Sequence, residues 1–246
     1  MPDTVNTWSG IRGVVLDAVG TLIDPVPSVA EVYRAAARSQ GVDLEVAEVK
    51  ARFYRHFDDV EVDELRGPLA TDEVTEHRRW RRIVAQTLPE VPDPSKAFDG
   101  LWEHFGRPEN WRTFGDVPAA VLELRAAGYG LVIGSNFDAR LRKVLAGSPS
   151  LADLDPVISS AVGFRKPHPG FYRAAAVRLG LPVEAILFVG DDPENDYAGP
   201  RRAGGRAALV DRDGRTPPDL DPLPSLAALV DRLRGVGVGA GGAVGR

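Results

Sequence analysis

Val14-Val15-Leu16-Asp17-Ala18-Val19-Gly20-Thr21-Leu22 decides the fold. Three consecutive apolar residues run into an acid and then a glycine turn. Unbroken rather than alternating apolarity marks a strand covered on both faces, and such strands belong to parallel sheets. The same construction returns in Leu131-Val132-Ile133, followed by Gly134-Ser135-Asn136. It returns again in Ile186-Leu187-Phe188-Val189, followed by Gly190-Asp191-Asp192. Pro156-Val157-Ile158-Ser159 and Ala207-Ala208-Leu209-Val210 are weaker versions. Helical patterns lie between: 117–128, 171–179 closed by Gly180, and 198–203 closed by Gly204-Gly205. Strand, turn and helix alternating from about residue 114 to 210 predict an α/β fold with a doubly wound, Rossmann-like parallel sheet.

Outward from the first strand the pattern changes. Residues 28–40, 44–57, 71–88 and 95–105 carry helical periodicity with no strong strand among them. This predicts an inserted all-helical cap domain over 25–112, with an α/β core formed by 1–24 plus 113–234. The glycine-rich end, 235–246, is expected to be a disordered tail. No repeat of solenoid spacing interrupts this plan.

Composition narrows the function classes. The 246 residues are 43% hydrophobic and 26% charged, in the range of globular proteins able to bury a core without staples. There is no cysteine, which excludes disulfides, thiolate metal sites and cysteine nucleophiles. A net charge of −5 argues against nucleic acid as a partner. No apolar run approaches the ~18 residues of a membrane span, and the N-terminal residues lack the pattern of a signal peptide. A cytoplasmic protein that engages neither nucleic acid nor membrane is expected. Among 30 basic residues only Lys50, Lys96, Lys143 and Lys166 are lysine, so a lysine in an unusual context merits attention.

In open α/β sheets, ligands bind outside the carboxyl ends of the strands. Asp17, Ser135-Asn136 and Asp191-Asp192 all end strands there, and Lys166 lies in the loop Gly163-Phe164-Arg165-Lys166-Pro167-His168-Pro169. Converging carboxylates repel unless a cation lies between them, and Mg²⁺ prefers oxygen ligands and suits phosphate substrates. A carboxylate can attack phosphorus while an ammonium and a hydroxyl hold the developing charge. Gly20 leaves room for close backbone approach. Taken singly, each residue has a plainer reading: a turn aspartate, a Ser-Asn helix cap, a surface lysine. Together, in this order and at these loops, they point to a site.

These segments resemble the four motifs of the haloacid dehalogenase-like (HAD) hydrolase superfamily. The first is similar to Val15-Leu16-Asp17-Ala18-Val19-Gly20-Thr21-Leu22, and the second to Val132-Ile133-Gly134-Ser135-Asn136. The third is Lys166 within Arg165-Lys166-Pro167-His168-Pro169. The fourth is similar to Phe188-Val189-Gly190-Asp191-Asp192-Pro193-Glu194-Asn195-Asp196. The agreement spans nearly all of residues 11–210, and the helical insert matches the family's small cap. The resemblance implies a hydrolase, with Asp17 as nucleophile and metal ligand. It implies Asp191 and the Val19 carbonyl as further Mg²⁺ ligands, and Asp192 or Asp196 binding directly or through water. Gly20, Ser135, Asn136 and Lys166 would bind substrate, with Ser135 and Lys166 also catalytic. The implied reaction is phosphatase or phosphotransfer chemistry on a small phosphorylated metabolite, through an aspartyl phosphate at Asp17.

One position departs from the pattern. Phosphatases of the family carry an acid/base aspartate two residues after the nucleophile, and here Val19 stands there. Four explanations fit: a substrate with a good leaving group such as an acyl phosphate, a substitute acid such as Asp24 or a cap residue, a non-phosphate substrate, or ligand binding with little turnover. The third corresponds to a 2-haloacid dehalogenase, which resembles this chain in lacking that aspartate and in an Asn after the Ser of the second motif, as Asn136 follows Ser135, but keeps no Gly-Asp fourth motif. The fourth corresponds to a phosphometabolite-binding or scaffold protein. Other features have bland readings. Arg78-Arg79-Trp80-Arg81-Arg82 reads as a solvated helix face paired with Glu73 and Glu76. His56, His77 and His104 read as packing or surface residues, Trp80, Trp102 and Trp111 as cap core, and His168 as part of a rigid loop.

Overall fold

The computed structural model describes residues 8–238. Five parallel strands form the sheet: β1 (Gly13–Leu16), β4 (Gly130–Ser135), β5 (Pro156–Ile158), β6 (Ile186–Gly190) and β7 (Arg206–Leu209). Their order is β5-β4-β1-β6-β7. The order reverses beside β1, which places Asp17 and Asp191 at the switch point where such sheets bind ligands. Leu16 pairs with Ile133 on one side and Val189 on the other, so β1, β4 and β6 end level with one another.

Both faces of the sheet are covered, which explains the continuous apolarity. Val14 and Leu16 pack against α5 (Val117–Ala126), α6 (Arg140–Ala146) and α10 (Leu226–Val238). Val15 points the other way, with Val132 and Phe188, onto Phe171, Tyr172 and Ala175 of α8 (Pro169–Leu179). Proline in the first turn of α8 and left-handed Gly180 past its end are the start and stop that the sequence announced. Two short helices complete the core, α7 (Ser159–Val162) and α9 (Gly199–Arg202).

Between Pro25 and Trp111 the chain makes four α-helices: α1 (Val29–Arg38), α2 (Val46–Leu65), α3 (Glu73–Thr87) and α4 (Pro94–Phe105). Ser28 and Glu31 form a capping box on α1, and Asp72 and Asp93 cap α3 and α4 through Thr75 N–H and Lys96 N–H. These helices enclose an apolar centre of their own, with Tyr33, Val49, Phe53, Ile83 and Phe98 all buried. His77 packs edge-on against Phe98 and Trp102 within it.

Two elements differ from the sequence expectation. An antiparallel ribbon of β2 (Ile23–Pro25) and β3 (Trp111–Thr113) carries the chain out to the insert and back. It straddles both expected boundaries, and its three-residue strands are too short to show periodicity. At the other end, α10 continues through Gly235 to Val238, so 235–238 are helical rather than a disordered tail. Buried Leu226, Leu229, Val230 and Leu233 hold that helix on the core and outweigh its glycines. The rest of the expected tail, 239–246, lies outside the described residues, as do 1–7. Among the described residues no helix is long and apolar enough to cross a membrane.

Candidate active site

The carboxyl ends of β1 and β6 bring Asp17, Asp191 and Asp196 together, with one oxygen of each within 4.8 Å of the others. Asp17 follows β1 directly, and its N–H donates to the Val189 carbonyl at 2.8 Å, which fixes where the side chain leaves the sheet. Asp196 comes from the turn that follows β6. A Cβ at Gly190 would overlap the Asp196 carboxylate, so glycine there is what lets the turn fold back. Likewise, a Cβ at Gly20 would overlap the Asp191 carboxylate, and Gly20 holds a left-handed φ of 82°.

Lys166 is the counter-charge. Its Nζ donates to Asp17 Oδ1 at 2.6 Å, to Asp196 Oδ1 at 2.6 Å and to the Gly134 carbonyl at 3.0 Å. Only 4% of its side chain is exposed. Burial alone would lower its pKa, but the two carboxylates outweigh burial and hold the ammonium well above the ordinary lysine value. One ammonium does not satisfy three acids. Burial raises the Asp17 carboxyl, with Lys166 opposing. Asp196 is pushed up to about 7, by burial first and with Lys166 offsetting part of it. Asp191 is pushed up to about 8 by burial and by its neighbours Asp17 and Asp196. Asp191 keeps one side open to solvent, so water screens it more than it screens buried Asp196.

A hard cation fits this donor set. Three carboxyl oxygens converge in a site where burial first, and then their mutual repulsion, raises the Asp191 and Asp196 pKa values, and the donors are all of the kind Mg²⁺ prefers. The turn after Asp17 is closed by hydrogen bonds to the Ala18 and Ile23 carbonyls and not to that of Val19.

The expected residues divide. Asp17, Lys166 and Asp191 meet as the spacing suggested. Ser135, 3% exposed, ends β4 beside them. Asn136, expected to touch substrate, has a different task. Its Nδ2 donates to the Lys166 carbonyl at 3.0 Å and its Oδ1 accepts from the Lys166 N–H at 2.7 Å. Asp192 is occupied as a cap, its Oδ1 accepting from Glu194 N–H and Asn195 N–H, and Asp196 joins the cluster instead.

The arginine run also needs correction. Arg79 is not solvated but 5% exposed, paired with Glu61 and Glu64 of α2 rather than with Glu73 or Glu76. Glu76 instead receives Arg165 of the core at 2.7 Å. Glu61 and Glu64, three apart on α2, were the available signal, but nothing in the sequence says which helix faces them.

A profile of the haloacid dehalogenase-like hydrolases matches residues 11–204, well over half of the chain. The chain belongs to the haloacid dehalogenase-like hydrolase family. A haloacid dehalogenase-like hydrolase domain-containing protein 3 of Danio rerio is 31% identical over 238 residues, 91% of this chain and 97% of that relative. A phosphoserine phosphatase of Thermus thermophilus is 28% identical over 233 residues, 87% of this chain and 93% of the relative. Among solved structures, an L-2-haloacid dehalogenase of Xanthobacter autotrophicus superposes with a TM-score of 0.68 at 24% identity, covering 92% of this chain and 99% of the other. At that identity the superposition speaks to the shared haloacid dehalogenase-like fold. The sequence resemblance and the α/β fold expectation are both borne out.

Beside the haloacid dehalogenase-like site, a cavity of about 60 Å³ lies where Glu61, Glu64, Leu65 and Leu69 of the insert face Lys166 and Asp192; the three acids do not line it. A larger cleft of about 260 Å³ near Arg142, Asp153 and Asp155 opens at the start of β5. That is the amino end of the sheet, away from the acids.

Proposed function

We propose that this hydrolase is a Mg²⁺-dependent phosphatase or phosphotransferase acting on a small phosphorylated metabolite of the cytoplasm. The observation that carries this reading is the trio Asp17, Asp191 and Asp196, with a single ammonium among them. Such a cluster offers a further cation a place among three oxygens, and Mg²⁺ there suits transfer of a phosphoryl group. The phosphoserine phosphatase relative supports the same chemistry.

Asp17, Asp191, Asp196 and the Val19 carbonyl would hold Mg²⁺, which when bound supplies positive charge to the carboxylates and to the phosphoryl oxygens. Lys166 fixes Asp17 Oδ1, which leaves Oδ2 as the nucleophilic oxygen. A P–O bond forms to Asp17 while the ester oxygen leaves with its electron pair. Ser135 holds a nonbridging oxygen as charge builds, and the Lys166 ammonium, its three N–H bonds engaged by Asp17, Asp196 and Gly134, offsets that charge from beside Asp17. Water then attacks the aspartyl phosphate at phosphorus, frees the Asp17 carboxylate and gives its proton to solvent. Val19 offers no proton to the leaving oxygen, so substrates whose leaving groups depart as anions, acyl phosphates above all, suit this site best.

A second reading, hydrolysis of a 2-haloacid with Asp17 attacking carbon, is favoured by Val19 and by Asn136 after Ser135. A screen of purified protein against phosphate esters, acyl phosphates and 2-haloacids, with and without Mg²⁺, separates the two. Phosphate release that requires Mg²⁺ and is abolished in Asp17→Asn is expected. Metal-independent halide release would overturn the phosphatase reading. Calorimetric binding of Mg²⁺ with beryllium fluoride, without turnover of any substrate, would instead mark a phosphometabolite-binding protein.

A further inference from the structure

Two backbone hydrogen bonds join the helical insert to the loop that carries Lys166. Thr71 N–H donates to the Gly163 carbonyl at 3.0 Å and Arg165 N–H to the Leu69 carbonyl at 2.9 Å, so Ala70 and Phe164 pair as one antiparallel bridge. Leu69 adopts a left-handed φ of 54° there. A branched side chain keeps that backbone only where its surroundings over-determine it, and such residues gather at functional sites.

The Arg165 side chain reaches into the insert. Its Nη1 donates to Glu76 Oε1 at 2.7 Å and its Nη2 to Glu61 Oε1 at 3.3 Å, and its Nε lies 3.4 Å from Glu64 Oε2. Arg79 shares Glu61 and Glu64, and Thr71 Oγ1 donates to the same Glu76 oxygen at 2.8 Å. Arg79, Arg165 and Glu76 are all buried, and the second oxygen of Glu76 has no partner. Two buried guanidiniums thus meet one buried carboxylate, Glu76, and two that are about a quarter exposed, Glu61 and Glu64. A network that served the insert alone would close between α2 and α3. This one has its third arm on the residue before Lys166.

We infer that Arg165 is a positioning residue: through Glu61, Glu64 and Glu76, the closed insert holds the 163–166 loop and so sets Lys166 Nζ against Asp17. The inference rests on the phosphatase reading for the role of Lys166. The cavity of about 60 Å³ between Glu61, Glu64, Leu65 and Leu69 of the insert and Lys166 holds water but not a phosphorylated metabolite, so a ligand seated between the insert and Lys166 requires the insert to move. The contacts on Leu69 and Arg165 are among those that part as it opens. Lys166 is then fully seated only after closure, and its alignment becomes conditional on a substrate the insert can close upon. Misplacement of a reacting group by about 1 Å can cost ~10²-fold in rate.

The test uses the full chain carrying Glu76→Gln or Arg165→Lys, neither of which leaves a naked charge buried. Val49→Ala, in the centre of the insert and 0% exposed, serves as the destabilised control. The assay is hydrolysis of an acyl phosphate with Mg²⁺, together with hydrogen exchange at the Arg165 amide. Glu76→Gln and Arg165→Lys should lower kcat about 10- to 100-fold with KM changed by less than about twofold, and should speed exchange at Arg165. Val49→Ala should lower the melting temperature and leave kcat within about twofold. Unchanged kcat in both network variants, or an equal loss in Val49→Ala, overturns the inference. If the unmodified chain hydrolyses no phosphate, the phosphatase reading has failed by itself. The exchange arm still decides the tether: faster exchange at Arg165 in Glu76→Gln than in Val49→Ala sustains it, and equal protection refutes it.

Discussion

Asn136 and Lys166 clasp each other through a reciprocal pair of hydrogen bonds, amide to carbonyl at 3.0 Å and N–H to amide oxygen at 2.7 Å. Only a carboxamide can donate and accept in this way. Asn136→Asp loses the donor and sets an oxygen against the Lys166 carbonyl, and Asn136→Ala loses both bonds. Each should cost about 1–3 kcal/mol in urea unfolding and lower kcat more than it raises KM. An Asn136→Ala protein with unaltered kcat would show that other contacts place the loop.

The metal-free protein should weaken as pH rises. Asp196 and Asp191 keep their protons to about pH 7 and about pH 8, whereas the unfolded chain releases them near the ordinary 3.8. Between those values the folded state binds more protons, so stability falls with pH. The contribution is fully present below the unfolded value and gone above about pH 8. Asp196 carries more of it, because solvent screens Asp191. Mg²⁺ should oppose the fall, raising the melting temperature most at the alkaline end, and Asp196→Asn should flatten the metal-free profile. Melts run between about pH 5 and about pH 8, with and without Mg²⁺, check this. A pH-independent midpoint that ignores the metal would contradict it.

Val19→Asp should restore a proton donor two residues after the nucleophile, in a turn already fixed by the Ala18 and Ile23 carbonyls. Alkyl phosphates, whose leaving oxygen needs protonation, should gain up to about 10²–10⁴-fold in kcat/KM, with little gain for acyl phosphates. The ratio of the two rates is the measurement. An unmoved ratio would mean that the proton comes from elsewhere.

The sheet was legible because parallel strands buried on both faces must be apolar throughout, and Val14, Val15 and Leu16 serve both layers. Asp17, Lys166 and Asp191 were legible because strand ends in such a sheet are fixed by topology. The choice between Asp192 and Asp196 was not, because it turns on which carboxylate caps the turn after β6 and which folds back over Gly190. The tasks of Asn136 and Arg79 were hidden for another reason. Their partners are 30 residues away in the Lys166 peptide and 15 and 18 residues away on α2. Periodicity reports which face of a helix is buried, not what it meets. The β2–β3 ribbon was missed because its three-residue strands hold few side chains and include Pro25.

The chain leaves for the insert at Pro25 and returns at Trp111, and these two residues are partners in the ribbon register. Departure and arrival are therefore neighbours, and the strands that carry Asp17 and Asp191 do not register the length of the excursion between them. A different helical unit grafted at that junction would leave the acidic cluster in place. What it would have to bring is a match for Arg165, since a guanidinium stripped of Glu61, Glu64 and Glu76 would be left without its counter-ions. Transplanted specificity in this architecture is thus a two-point splice plus one electrostatic handshake.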